Sequence, residues 1–378
     1  MRVDRNIELK WQNMAKGMAA QVGWLRTGPA RQLQAARERL SKAPPRVYLV
    51  GCGDSHYCGL ASRLAFERWS GIPTEALESL EYSRYVADYA PAGSWVVCVS
   101  NSGRVTRTVE SAIFARRRGA FPIALTYDGG SLLAKNSEVT FEFGYDDVGF
   151  GPGTLSYMAS LTGLYALALR AGELSGNLDA TAAGRQIDAI AREADVVDKT
   201  LEVCRATAAI LGADLPADAT IHILGAGPNL GTAFFGMAKF IEAAALPAVG
   251  QELEEWAHEQ YFCTKPGTYT LVIAPPGASN DRAREQLRAV RDIGGTAVAI
   301  CAEEDSATAN LADHVFAIPG LEDEALSPIP CCVPLELLAY EYAVHQGATM
   351  LGFDDPKRME VNFRQIFASQ IPDDSDGV

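Results

Sequence analysis

Short apolar runs alternate with amphipathic stretches along most of the chain, and each apolar run ends in glycine or a polar turn. RVYLVGCG (46–53) meets glycine, and SHYCGLASRLAFERWSG (55–71) follows it with helical spacing. A further helical stretch lies at 105–120. The next apolar runs fall at 74–79, 94–100, 121–127 and 139–143. Strands that alternate with helices are typical of an α/β domain with a parallel sheet, which we predict for the first half.

The same pattern begins again in the second half. After an alanine-rich helical stretch at 155–215, TIHILGAG (220–227) leads into a predicted helix at 229–245. Further strands are predicted at 269–277, 296–302 and 314–320, with helices at 278–295 and 333–348. The offset between LVGCG and ILGAG is about 170 residues, which indicates a duplicated domain and not a short repeat.

These patterns predict a division of the chain into five parts. They are an N-terminal helical segment (1–40), a first domain (41–175), a helical linker (176–212), a second domain (213–348) and a C-terminal tail (349–378). The acidic end of the tail, IPDDSDGV, is expected to be disordered.

Composition narrows the class of partner. The 378 residues carry a formal net charge of −14, which argues against nucleic acid or an anionic membrane as the main partner. A small anionic ligand is still compatible, because helix N-termini bind anions whatever the global charge. The eight cysteines show no metal-ligand spacing and are expected to be reduced core residues. Neither a signal peptide nor a membrane span is expected, so we predict a cytoplasmic protein.

Two glycine-rich polar loops follow predicted strands. GCGDS (51–55) and SNSG (100–103) lie where ligands bind in a parallel α/β sheet, outside the carboxyl ends of the strands. Ser55, Ser100 and the residues beside them supply short side-chain donors next to free helix amides, which suits the oxygens of a phosphate. The structural alternative is plain turn and helix-cap residues, but two such loops at neighbouring strand ends favour a phosphate site.

A second polar cluster lies in AKFIEAAALPAVGQELEEWAHEQYF (238–262). Lys239 and Glu242 are three residues apart and share a helix face. Pro247 and Gly250 are expected to end this helix. A second segment then brings Glu252, Glu254, Glu255 and His258. A carboxylate and a histidine are the groups that proton transfer from carbon requires. The alternative for the lysine and the glutamate is an ordinary surface ion pair.

GCGDSHYCG, SNSGRVTRT and LGAGPNLGTAFFGMAKFIE together resemble the double SIS (sugar isomerase) domain family. That family includes the isomerase half of glucosamine-6-phosphate synthase, amino-sugar-phosphate deaminases and fructosamine-6-phosphate deglycases. The resemblance covers roughly residues 45–350. It implies two tandem flavodoxin-like α/β/α domains and a sugar phosphate held by the first loop pair. The implied phosphate-binding residues are Gly53, Ser55, Ser100, Asn101, Ser102 and Thr106.

The resemblance also implies the catalytic residues. Glu242 would move a proton between C1 and C2, and His258, sixteen residues later, would assist ring opening. Lys239 matches a lysine of the family. Possible further substrate contacts are Asp54, His56, Thr154 and Glu255. No metal or organic cofactor is expected, because imine–enamine chemistry on an open-chain sugar needs none. The family builds its site at a subunit interface, so a homodimer is expected.

Departures from the synthase pattern decide between reactions. Residue 2 is Arg, not the cysteine of a glutaminase domain, and no lysine in DPKRMEVNFRQ (355–365) clearly matches the one that marks the synthases. We therefore expect a phosphosugar isomerase or deaminase without a glutaminase domain, acting on an amine-substituted hexose 6-phosphate. A fructosamine-6-phosphate deglycase is the alternative reaction. A non-catalytic phosphosugar sensor is the alternative class. His222, inside an apolar strand, is expected to be a satisfied core residue.

Overall fold

Two parallel sheets of five strands each organise the computed structural model, which describes residues 11–372. The strands of the first sheet are β1 (Val47–Gly51), β2 (Thr74–Glu78), β3 (Trp95–Val99), β4 (Phe121–Thr126) and β5 (Val139–Glu142). Those of the second are β6 (Thr220–Gly225), β7 (Ala248–Glu252), β8 (Thr268–Ala274), β9 (Thr296–Ala302) and β10 (His314–Ile318). Their spatial orders are β2-β1-β3-β4-β5 and β10-β9-β8-β6-β7. Numbered from its own first strand, each sheet has the same order, which confirms the duplication.

Helices cover the sheets and connect the two halves. They are α1 (Trp11–Arg39), α2 (Asp54–Ser70), α3 (Ser79–Glu81), α4 (Thr106–Arg117), α5 (Leu132–Lys135), α6 (Leu155–Ser175), α7 (Ala180–Val203), α8 (Arg205–Asp214), α9 (Asn229–Ala244), α10 (Asn280–Asp292), α11 (Ser306–Ala309), α12 (Pro328–Gln346) and α13 (Pro356–Phe367). A short π-helical stretch follows α3 at Tyr82–Val86. Single 3₁₀ turns occur at Ala87–Tyr89, Glu255–Ala257, Gln260–Cys263 and Met350–Gly352. Among the described helices, none combines the length and apolar content that crossing a membrane requires.

The apolar runs of the sequence form central strands that are buried on both faces. Every residue of β1 and β3 is buried, as expected for a parallel sheet covered by helices on both sides. One continuous core joins the two halves, and it contains Leu49 of β1 and Ile223 of β6 together with apolar residues of α1, α2, α6, α9 and α12.

Helices α2 and α9 cross closely where the two halves meet. A side chain at Gly231 in α9 would lie 2.4 Å from the carbonyl oxygen of Tyr57 and 2.6 Å from the nitrogen of Ala61, both in α2. Only glycine permits this approach. The crossing brings the beginning of α2, in the first half, near residues of α9 in the second half.

The predicted fold class is confirmed, and three local predictions need correction. Helix α9 ends at Ala244, and Gly250 lies in the edge strand β7, which the sequence analysis missed. Helix α13 lies within the predicted C-terminal tail. Cys263 is exposed, in contrast to the six buried cysteines, and all eight are free. Residues 1–10 of the predicted N-terminal helix and 373–378 of the acidic end lie outside the described residues. The domain limits given above stay predictions.

Candidate active site at the junction of the two halves

The loop after β3 contains a buried serine whose hydroxyl is unsatisfied within the described part of the chain. Ser100 is 2% exposed, and its Oγ has no hydrogen-bond partner among the described residues. Its backbone nitrogen donates to the carbonyl oxygen of Leu125 at 3.1 Å. The nitrogen of Gly103 donates to the carbonyl oxygen of Ser100 at 3.0 Å, which closes a tight turn. Helix α4 then begins at Thr106 without a side-chain cap. A buried hydroxyl beside an uncapped helix N-terminus is the kind of arrangement that an anion fills.

Gly103 and Asn101 fix the shape of this loop. Gly103 has φ +59°, and a side chain there would lie 2.1 Å from Ser131 Oγ, so the turn requires glycine. The carboxamide oxygen of Asn101 accepts a hydrogen bond from the Tyr145 hydroxyl at 2.6 Å. Asn101 therefore has only its amide nitrogen left for a ligand. Ser102 Oγ accepts from the nitrogen of Arg104 at 3.3 Å, so it stabilises the turn as well.

The loop after β1 lies beside the loop after β3, since β1 and β3 are neighbours in the sheet. Cys52 Sγ lies 3.9 Å from Thr108 Oγ1 in α4, which places the two loops against each other. Gly53 is exposed with φ +55°, and α2 also begins without a side-chain cap. Ser55 is half-buried. The structure therefore brings the predicted phosphate-binding residues to one edge of the first sheet.

Lys239 forms the centre of a buried charged cluster. Its Nζ lies 2.7 Å from Asp54 Oδ2, 2.6 Å from Glu242 Oε2 and 3.0 Å from the Gly153 carbonyl oxygen. These three acceptors use all three ammonium protons. The Lys239 side chain is 0% exposed, so the alternative of an ordinary surface ion pair is wrong. The cluster joins α2 of the first half to α9 of the second.

Burial and pairing set the ionisation of this cluster. Burial raises the pKa of Asp54 to about 7, although the nearby Lys239 ammonium opposes the shift. Burial alone would lower the pKa of Lys239, but the carboxylates of Asp54 and Glu242 outweigh it and hold that pKa above its ordinary value. Lys239 is therefore a permanent cation whose donors are fully occupied by protein atoms. It orients Glu242 instead of offering a free proton to a ligand.

Sequence reasoning missed Gly153 of this cluster, although Ser156 was expected to be able to face a ligand. A side chain at Gly153 would lie 2.9 Å from Asp54 Oδ2 and 2.8 Å from Ser156 Oγ, so the cluster requires glycine there and Ser156 lies beside it. The short GPG segment before α6 carries the only signal for this close approach in the sequence. Thr154, a predicted substrate contact, is buried against α1, where a side chain at Gly17 would lie 2.2 Å from its Oγ1.

The predicted histidines occupy very different surroundings. The His258 side chain is 67% exposed, and its Nε2 lies 3.6 Å from Glu254 Oε1. Within the described residues, no hydrogen bond or ion pair joins His258 or the exposed Glu255 to Glu242. Glu252 Oε2 accepts from the nitrogens of Glu254 at 2.6 Å and Glu255 at 3.2 Å, so it caps the turn that carries them.

Two other histidines are buried. His56 lies under the first loop with its Nδ1 3.4 Å from Glu78 Oε1, and burial lowers its pKa despite that carboxylate. His222 is a core residue, as predicted, but its Nδ1 has no partner among the described residues, so the expectation that it is satisfied is wrong. Burial also lowers the pKa of His222. Both rings are therefore held towards the neutral form.

The family model described as "SIS domain" matches residues 39–170 and 216–346. The glutamine–fructose-6-phosphate aminotransferase (isomerizing) of Thermus thermophilus is 28% identical over 315 residues, covering 83% of this chain and 51% of that protein. The enzyme of the same name from Leifsonia xyli subsp. xyli is 26% identical over 320 residues, with coverage of 83% and 51%. The chain thus spans about half the length of these curated relatives.

Solved structures match along most of their length. The C-terminal domain of glucosamine-fructose-6-phosphate aminotransferase from Francisella tularensis has a TM-score of 0.79 at 19% identity, covering 89% of this chain and 97% of that one. A glucosamine-6-phosphate deaminase from Thermotoga maritima has a TM-score of 0.67 at 20% identity, with coverage of 89% and 96%. At these identities the likeness establishes the fold.

Proposed function

This chain belongs to the SIS domain family, and from that premise we propose that it is a phosphosugar isomerase or deaminase acting on an amine-substituted hexose 6-phosphate. One observation carries the proposal. The 2.7 Å contact between Lys239 Nζ and Asp54 Oδ2 joins the glycine-rich loop of the first half to the helix of Glu242 in the second half. An anion-binding loop and a buried acid–base cluster therefore adjoin, as a phosphosugar with its reactive carbons at the far end requires.

The first loop pair is proposed to bind the phosphate. Ser100 Oγ is buried without a partner among the described residues, the helices that begin at Asp54 and Thr106 lack a side-chain cap, and the first amides of α4 make no backbone hydrogen bond within the described chain. A phosphate that accepts hydrogen bonds from these groups would satisfy them and would gain from both helix dipoles. Ser55, Ser102 and the amide nitrogen of Asn101 complete the proposed shell.

Glu242 is proposed as the general base and acid. Its Oε2 is fixed by Lys239, and its side chain is about one-third exposed, so it reaches the site while its orientation is held. A positioned carboxylate can take the proton from C1 or C2 of an open-chain sugar and return it to the neighbouring carbon. Lys239 holds Glu242 Oε2 in place at 2.6 Å and has no donor left for the substrate.

His258 is proposed to assist ring opening or protonate the leaving nitrogen, in a homodimer. Because this ring is exposed and makes no contact with Glu242, we propose that it serves the site of a second copy. The apolar side chains of Ile241, Val249, Tyr261 and Phe262 are exposed on nearby elements and would be covered by that copy. Light scattering at micromolar protein concentration is expected to give twice the 40.5 kDa mass of the chain. A monomer would contradict this part of the proposal.

A substrate panel tests the reaction itself. Glucosamine 6-phosphate, fructose 6-phosphate and fructosamine 6-phosphates should be incubated with the protein, and ammonia, free amine and ketose should be measured. Ammonia or ketose from glucosamine 6-phosphate supports the isomerase or deaminase, whereas amine release from fructosamine 6-phosphates alone would favour the deglycase. Binding without turnover of any member would favour the sensor.

A further inference from the structure

The cluster around Lys239 contains a carboxylate oxygen that no protein group satisfies. Asp54 uses Oδ2 to hold Lys239, but its Oδ1 is buried and has no hydrogen-bond partner among the described residues. A buried acceptor without a partner costs free energy, and an ionised one costs more. In a native site such an atom usually indicates a bound partner or a functional role.

The charge balance specifies what that partner should be. Asp54 and Glu242 contribute two carboxylates and Lys239 one ammonium, so the ionised cluster carries an excess negative charge. Glu336 of α12 is a third acid close enough to affect both Asp54 and Lys239 electrostatically, and burial raises its pKa to about 8. Since the Lys239 protons are fully used, the cluster presents acceptors and not donors to a ligand. A cationic donor is the complementary group.

We propose that Asp54 determines substrate specificity by accepting, at Oδ1, a hydrogen bond from a positively charged nitrogen on C2, one of the two carbons between which Glu242 moves a proton. This inference rests on the proposed function, because it places the amine of the phosphosugar beside the proposed base. The nitrogen would fill this buried acceptor of the cluster and balance its charge. A neutral hydroxyl at the same carbon would leave the excess charge in place, so amine-bearing phosphosugars are preferred.

Ionisation of Asp54 is consistent with this role. Burial raises its pKa to about 7, which reflects a carboxylate that lacks sufficient compensation in the free protein. An ammonium group beside Oδ1 would favour the charged carboxylate. The titratable groups near enough to interact with Asp54 are Lys239 and Glu242 from α9, Glu336 from α12, Tyr157 from α6, and Tyr57 and Cys58 from its own helix.

A matched pair of unreactive ligands tests the inference. Glucitol 6-phosphate and 2-amino-2-deoxyglucitol 6-phosphate differ only in the amine, and neither has a carbonyl group to react. Calorimetry at pH 7.5 should show that the wild type binds the amine roughly tenfold to hundredfold more tightly, the range for a charge-assisted hydrogen bond. Asp54→Asn should reduce this preference below about threefold while its affinity for glucitol 6-phosphate stays within about threefold, because the phosphate contacts remain.

Controls keep the outcomes separate. Asp88→Asn removes an exposed carboxylate that pairs with Arg118 in the same half, and it should keep the full preference. If Asp54→Asn does not fold, Asp54→Ser removes the charge and keeps an oxygen for Lys239. A preference that survives in the folded Asp54 variant, or its absence in a wild type that binds glucitol 6-phosphate, overturns the inference and leaves the proposed function standing. Failure of the wild type to bind either ligand overturns both.

Discussion

The two halves of the molecule share one topology but differ at the strand ends. In both, a glycine ends the first strand and permits an immediate turn into a helix. A side chain at Gly51 would lie 2.6 Å from the backbone of Ser55, and one at Gly225 would lie 2.1 Å from the backbone of Asn229. The duplication therefore preserves the tight turn from the first strand into its helix. It does not preserve the loops that follow the third strand of each sheet.

The loops after the third strand of each sheet differ most. In the first half, SNSG (100–103) leaves a buried hydroxyl without a partner. In the second half, PPGAS (275–279) replaces two backbone donors with proline, and Glu324 accepts from the nitrogen of Ala278 at 3.1 Å. A side-chain carboxylate thus occupies part of the second loop. We therefore expect an outside anion to bind at the first loop and not at the second.

The helices after the first strands also differ, and here it is the second half that carries the charged cluster. Helix α9 of the second half carries Lys239 and Glu242 at the junction. Counted from the strand-end glycines, the matching positions in α2 hold Ala65, which is buried, and Arg68, which pairs with Asp323 at the surface. Under the proposed function, the duplication has divided the roles: anion binding is assigned to the first half and proton transfer to the second.

The largest expected effect comes from removing the base of the second half. Glu242→Gln keeps the shape of the side chain but cannot accept a proton, so turnover of the substrate should fall about a hundredfold to ten-thousandfold. KM should change much less, because the carboxamide still fits the site. The matched variant Glu67→Gln, in α2 of the first half, removes a carboxylate paired with Arg63 and should keep wild-type turnover. Unchanged turnover in Glu242→Gln would assign the base elsewhere, with Glu252, Glu254 or Glu255 as the next choices.

A smaller effect is expected from the loop of the first half. Ser100→Ala combined with Ser102→Ala should weaken the binding of a 6-phosphorylated ligand at least about tenfold, because charge-assisted hydrogen bonds are lost. Ser279→Ala, in the corresponding loop of the second half, should leave the affinity unchanged. Calorimetry with glucitol 6-phosphate measures both. Equal losses of affinity in the variants of the two loops would contradict the proposed difference between the halves. An unchanged affinity in the first-half variant would mean that Ser100 serves only the structure of the turn.

The smallest effect concerns the contact between α1 and α12. Gln21 Nε2 donates to both carboxylate oxygens of Glu336, at 2.8 and 2.9 Å, and burial raises the pKa of Glu336 to about 8. Since this pKa lies above its ordinary value near 4.5, the folded chain keeps a proton that the unfolded chain has released, and stability falls as pH rises through that interval. Glu336→Gln has no such proton to lose.

The Tm of Glu336→Gln minus that of the wild type should therefore increase by at least about 2 °C between pH 5 and pH 8.5. Melting curves of both proteins across this range provide the measurement. The other acids with a raised pKa, Asp54 and Glu193, are present in both proteins and contribute to both curves. A constant difference in Tm across the range would show that Glu336 is ionised throughout.

The order of strands and helices could be predicted because local signals agree with it. The buried strands read as apolar runs, and Gly51 and Gly225 mark their ends. Strand β7 was missed because AVGQE is short, half polar and interrupted by glycine, so it lacks the pattern of a central strand. Helix α13 is amphipathic but follows a stretch of turn residues, and its helical spacing was not recognised.

The candidate site was only partly predictable, because its central contacts are not local. Lys239 and Glu242 stand on one helix face, and this pairing follows from their spacing. The partner of Lys239 is Asp54, 185 positions away in the other half, and only the close crossing of α2 and α9 at Gly231 brings them together. The exposure of His258 depends likewise on the turn capped by Glu252, which no spacing rule reveals.

A structure with glucitol 6-phosphate bound is the most direct test of this division of work. The account predicts a phosphate that accepts hydrogen bonds from Ser100 Oγ and from the first amides of α4, with C1 and C2 beside Glu242 at the junction. A phosphate seated in the second-half loop at 275–279, or a sugar chain directed away from Glu242, would contradict it.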